Sequence, residues 1–136
     1  MQDYKNILYA MDLDDEHVTA IIYALEFAQK FQSRIHMVYV NDSQAGYRHP
    51  TEREDAIALK VKESVPASLL EEADIVYAAA KGDTAEEIVR YAGRHAIDLL
   101  IVGHRHRSKF ISSLSDSTDV NIIDEARIPV LVVPED

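Results

Sequence analysis

Residues 103–109, Gly103-His104-Arg105-His106-Arg107-Ser108-Lys109, gather three permanent cations and two imidazoles in seven positions of an otherwise acidic chain. That composition suits an anion. Arg105, Arg107 and Lys109 would supply charge, and main-chain N–H groups of the loop and of the next helix's first turn would add donors, because helix N-termini attract anions. The competing account is a solvated basic loop or a subunit contact. A metal reading of His104-x-His106 needs an extended backbone to bring both rings to one side, and a third ligand that the sequence does not supply.

A second group, Asp12, Asp14, Asp15 and Glu16, follows the first apolar run. An apolar strand ending in Asp-x-Asp invites phosphoryl transfer through an aspartyl nucleophile and Mg²⁺. The chain lacks the rest of that machinery: there is no room for a cap domain and no Lys-Pro turn after the last strand. A receiver would need an acceptor Asp where Tyr77-Ala78-Ala79-Ala80 stands. The plainer role is that Asp14 or Asp15 caps the first helix while Glu16 complements its dipole. Ser108, Ser112, Ser113, Ser115, Ser117 and Thr118 crowd one loop, where hydroxyls cap a helix, bond phosphate or accept a phosphoryl group. Ser117, His106 and Asp12 can be drawn as a triad, but no nucleophile elbow accompanies them. His17, His36, His49 and His95 read as surface or satisfied structural residues.

These groups are positioned by alternating apolar runs and helical spacings, the pattern of a parallel α/β sheet. Strands are expected over Asn6–Met11, Ile35–Val40, Ile75–Ala79, Asp98–Val102 and Pro129–Pro134. Val18, Ile21, Ile22 and Leu25 predict a helix from His17 to Phe31. Thr51-Glu52-Arg53-Glu54 and Thr84-Ala85-Glu86-Glu87 read as capping boxes, the first opening a helix that stops near Pro66, the second one buried through Ile88, Val89 and Ala92. A polar stretch begins at Gly103, and a further helix carries Val120, Ile123 and Ala126. Five such units without a linker or repeat imply a single domain over residues 1–136, its sheet covered on both faces. Ligands in such sheets sit beyond the carboxyl ends of the strands, where strand order reverses. That points to residues 12–16, 40–46 and 103–117.

Bulk properties narrow the classes. The 136 residues are 47% hydrophobic and 28% charged, ordinary for a globular domain. With a formal net charge of −10, general attraction to nucleic acid or an anionic membrane is not expected. The absence of cysteine removes disulfides, thiol catalysis and thiolate metal sites. No apolar run approaches the ~20 residues of a bilayer span, and the start lacks a signal-peptide core. The expectation is a cytoplasmic protein.

The chain from Tyr4 to Pro134 resembles the universal stress protein family. The resemblance lies in Asn6-Ile7-Leu8-Tyr9-Ala10-Met11-Asp12, Lys81-Gly82-Asp83, Ala96-Ile97-Asp98-Leu99-Leu100-Ile101-Val102-Gly103 and Pro129-Val130-Leu131-Val132-Val133, in order and spacing. It implies a Rossmann-like sheet of order 3-2-1-4-5, similar to the adenine nucleotide alpha hydrolases. It also implies a homodimer in which the last strands meet through Val130, Leu131, Val132 and Val133. A short apolar edge strand agrees, since it needs covering and a twofold pairing covers it.

Many family members bind ATP through Gly-x2-Gly-x9-Gly-(Ser/Thr) after strand four, whose main-chain N–H groups cradle the phosphates. Laid on this chain the motif falls on Gly103, His106, Asp116 and Ser117, so the first glycine and final hydroxyl match and the middle glycines do not. Gly103 is the last of four glycines, so no shifted register restores the motif. A Cβ at the middle positions restricts positive φ and blocks close approach to a phosphate. Asp116 adds a carboxylate where the triphosphate would lie, a like-charge pair costing roughly 1 kcal/mol at 4 Å in water and about 4 at an effective dielectric of 20. Asp12 and the main chain of Val40, which match the adenine and ribose contacts, remain.

Asp12-Leu13, and Gly103-His104 followed by Ser-Lys and Ser-Ser, look most like the UspA-like branch. That branch is associated with dimers that do not bind ATP and with resistance to growth-arresting stress. The resemblance therefore implies a non-catalytic homodimer acting through protein partners, with no cofactor or at most weak ATP. The alternative is an ATP- or adenine-nucleotide-binding signalling module whose basic loop replaces the missing glycines.

Overall fold

The computed structural model describes residues 3–11, 18–41, 54–105 and 122–135. Its elements are β1 (Asn6–Met11), α1 (Thr19–Phe31), β2 (Arg34–Asn41), α2 (Glu54–Ser64), α3 (Ala67–Glu71), β3 (Asp74–Lys81), α4 (Thr84–Arg94), β4 (Leu99–Arg105) and β5 (Val130–Glu135). Residues 122–126 are also helical. The strands form one parallel sheet in the expected order, β3-β2-β1-β4-β5.

Alternation along the central strands divides the core into two layers, because successive side chains leave a strand on opposite faces. Ile7, Tyr9, Met11, Ile35, Met37, Tyr39, Leu99 and Ile101 face α1 and α2, which contribute Ile21, Leu25, Ile57 and Val61. Leu8, Val38, Val40 and Leu100 face α4 and residues 122–126 through Ile88, Ala92 and Ile122. Both faces of the three middle strands are thus covered, which is why they read as continuous apolar runs.

Several local expectations are corrected. The N-cap of α1 is Val18, with no side-chain cap bond, in place of the expected Asp14 or Asp15. The helix expected to stop near Pro66 does so, α2 ending at Ser64, but Pro66 is also the N-cap of a further short helix, α3, outside the expected elements. At α4 the cap is Asp83, one residue before Thr84; its carboxylate accepts the Glu86 N–H at 3.0 Å. Replacing Asp83 by alanine orphans that donor and is expected to cost about 1 kcal/mol in urea denaturation. Ile122, at 1% exposure, faces the core in place of Ile123, which is 49% exposed. Strand four continues to Arg105, beyond the expected end at Val102.

Glycine is required once in the described turns. Gly82, between β3 and α4, has φ +137, and a Cβ there would lie 3.2 Å from the Glu87 side chain. Its N–H donates to the Asn41 carbonyl at 3.1 Å, tying the ends of β2 and β3 together.

Candidate functional site

The strand order reverses at β1, and open α/β sheets carry a crevice beyond the carboxyl ends of the strands at that point. β1 pairs with β2 as far as Met11↔Tyr39 and with β4 as far as Ala10↔Val102. On one side β2 and β3 remain paired to Asn41↔Lys81, and on the other β4 and β5 remain paired to Arg105↔Glu135. The carboxyl end of β1 therefore lies between the β2 and β4 ends, where the chain turns from building toward β3 to building toward β5. This is the position at which open α/β sheets take ligands.

Val40 and Gly103 stand on opposite walls of that crevice. Val40 is buried in β2 at register Val40↔Ala80, and Gly103 lies in β4 at Gly103↔Val133. The β4 backbone stays extended through His104↔Pro134 and Arg105↔Glu135. In a parallel ladder successive N–H groups point to opposite sides, whereas a phosphate nest needs successive N–H groups that converge in a turn. Residues 103–105 therefore present strand edges to the crevice, not a cradle. The loop expected from Gly103 onward starts no earlier than residue 106. Asp12, His106, Arg107, Lys109, Asp116 and Ser117 lie outside the described residues, as do the acidic group at 14–16 and the serines at 108–117.

At the far edge, β5 is the last strand of the sheet, as the dimer expectation requires. Its four apolar residues divide. Val132 is 40% exposed, Val130 and Leu131 are half-buried, and Val133 is 4% exposed. Val133 is therefore a core residue of its own subunit and offers main chain, not side chain, to any neighbour.

The described titratable cluster lies at the opposite end of the sheet. His36, the third residue of β2, is buried; its Nδ1 is 2.7 Å from the Tyr91 hydroxyl and its Nε2 3.2 Å from Asn6 Oδ1. With Asn6 Oδ1 accepting from Nε2–H, Nδ1 accepts from the Tyr91 hydroxyl. His95 stacks on Tyr91 with centroids 3.9 Å apart and lies 5.7 Å from His36. Burial holds the His36 pKa below its ordinary value, His95 and Arg34 push the same way, and Asp74 opposes them. The sequence expectation of a satisfied structural histidine fits this geometry.

A neutral buried histidine ties stability to pH. The unfolded chain takes up a proton near pH 6.5 that the folded chain resists, so the stabilisation is complete above that value and declines as pH falls through it. Urea midpoints are expected to drop more between pH 7.5 and 5.5 for the wild type than for His36→Gln. Equal drops would remove His36 from the account.

Among the described residues no group of three or more His, Asp or Glu is placed to hold a metal ion. No described helix is long and apolar enough to cross a membrane. The family model described as universal stress protein family matches residues 3–134. Among solved structures, universal stress protein UspA from Lactobacillus plantarum is 21% identical with a TM-score of 0.69, covering 98% of this chain and 99% of that one. A universal stress protein in complex with cAMP is 21% identical with a TM-score of 0.75, covering 99% and 100%. The universal stress protein from Archaeoglobus fulgidus in complex with dAMP is 18% identical with a TM-score of 0.59, covering 97% and 99%. No curated protein sequence matches significantly.

Proposed function

The chain belongs to the universal stress protein family, and from that premise we propose that it is a non-catalytic, homodimeric member of the UspA-like branch that binds ATP weakly or not at all. It supports stress resistance in the cytoplasm through contacts with other proteins. The observation that supports the nucleotide part is the extended backbone of residues 103–105, paired with Val133, Pro134 and Glu135 where the family's phosphate motif, laid on this chain, starts. The missing glycines at His106 and Asp116 and the added carboxylate act in the same direction.

Thermal unfolding tests this reading. A ligand at about 100 times its Kd adds about 2.7 kcal/mol to the folded state, which for a chain of this size raises Tm by roughly 8 °C. With millimolar MgATP the transition is expected to stay within a degree of its ligand-free position. A rise of the full size would establish ATP as a resident ligand and defeat the proposal.

A second reading, adenine nucleotide binding with little help from a polyphosphate, draws on the intact wall at Val40 and on the neighbours solved with cAMP and dAMP. Both of those ligands carry one phosphate. Binding of that kind would use the base end of the crevice and leave the strand-four loop idle.

A further inference from the structure

β3, the edge strand opposite β5, is incompletely covered. Every residue from Ile75 to Ala80 is half-buried, whereas β2 beside it is buried from Ile35 to Asn41. The gap is a cleft of about 350 Å³ between β3, α2 and α3, lined by Ala58, Lys62, Leu70, Ala73, Ile75 and Tyr77. Four of these present hydrocarbon, and Leu70, Ala73, Ile75 and Tyr77 continue the core layer beneath α1 and α2. The two lining residues with polar side-chain ends are Lys62, in the last turn of α2, and Tyr77. Neither has a hydrogen-bond or ion-pair partner among the described residues. Burial raises the Tyr77 pKa, so the phenol remains a proton donor throughout the neutral range.

A concave apolar surface with a few convergent polar groups is the form of a small-molecule site, and this volume is at the lower end of such sites. Both polar groups are donors and one is a cation, so the complementary head is a carboxylate. The body has a formal net charge of −10, so an anion is favoured at this cleft by local donors and not by the general field. We propose that the cleft binds a small amphipathic carboxylate, its hydrocarbon tail on Ala58, Leu70, Ala73 and Ile75 and its head between Lys62 Nζ and the Tyr77 hydroxyl. The site lies on the face of the sheet toward α2, apart from the crevice beyond β1, and is independent of whether a nucleotide binds there.

Decanoate, kept below its micelle concentration, is the probe, and decanol is the uncharged control. In ¹⁵N-labelled full-length protein, decanoate is expected to give saturable amide shifts centred on Ala58, Lys62, Leu70, Ala73, Ile75 and Tyr77. Decanol should bind more weakly, by a factor of up to about five, the upper end of what an exposed ion pair contributes. Lys62→Gln, a change at an exposed position, should bring decanoate down to the decanol affinity and leave decanol unchanged. Tyr77→Phe keeps the ring and should weaken both probes, because the phenol donates to a carboxylate and to an alcohol oxygen alike. Shifts spread over other surfaces, no saturation, or equal affinity for decanoate and decanol in the wild type would overturn the proposal. So would a Lys62→Gln variant that binds decanoate as the wild type does.

Discussion

Restoring glycine at both His106 and Asp116 is expected to tighten MgATP binding by about tenfold or more. Removing a carboxylate about 4 Å from a phosphate relieves between ~1 and ~4 kcal/mol depending on local dielectric, and 1.4 kcal/mol is a factor of ten. Removing both Cβ atoms lets the chain adopt positive φ and approach the phosphates closely. The contributions separate by substitution. Asp116→Asn removes only the charge and should recover part of the gain, while the paired glycines recover more. Urea denaturation accompanies the titration, since each glycine adds backbone entropy to the unfolded chain and costs up to roughly 1 kcal/mol. If folded double variants bind ATP no better than the wild type, side chains at these two positions are not what excludes the phosphates.

If the proposed strand-five dimer forms, replacing Val132 by aspartate is expected to give a monomer in sedimentation velocity. Val132 is the most exposed of the four apolar residues of β5, so the isolated subunit loses little by the change. At an edge-to-edge interface with twofold symmetry the same substitution appears twice and brings two carboxylates near the axis. Each would lose water without gaining a partner, a cost of several kcal/mol in an interface of moderate size. Val133→Asp would be a poor test, because Val133 is buried within its own subunit and the variant would report on folding. A wild type that sediments as a monomer, or a Val132→Asp variant that remains a dimer, would refute the strand-five interface.

The strands were legible because the middle ones are buried on both faces and leave unbroken apolar runs. Element ends were harder to read, for identifiable reasons. α1 starts at Val18 without a capping side chain and ends at Gln32 in the left-handed conformation usually given to glycine. Ala96 and Arg127 adopt positive φ in the same way, so the chain has few of the usual stop signals. Pro66 looks like a terminator but is compatible with starting a helix, and this hid α3 and with it the cleft against β3. β4 runs into His104 and Arg105 because a backbone ladder does not require apolar side chains. At 122–126 two adjacent isoleucines leave the phase of a short helix open, and the fold buries the first.

Of the candidate site, Val40 lies near the end of β2, and Gly103 lies within β4 and not at the start of a loop, because the β4–β5 ladder runs on to Arg105. The strand order came from family resemblance, since nothing in the local spacing orders five parallel strands. The His36–Tyr91 contact joins residues 55 apart and left no motif. Its one trace in the sequence is a titratable ring at a position of β2 that must be buried, which obliges some partner to meet it.

The central claim is that the polyphosphate end of the crevice contributes no binding, and isothermal titration of the wild type with AMP and with MgATP under one set of conditions tests it most directly. The account predicts that ATP binds no more tightly than AMP and that neither reaches low-micromolar affinity. An ATP dissociation constant in the low micromolar range and at least about tenfold below that of AMP, a difference of ~1.4 kcal/mol from the added phosphates, would contradict it.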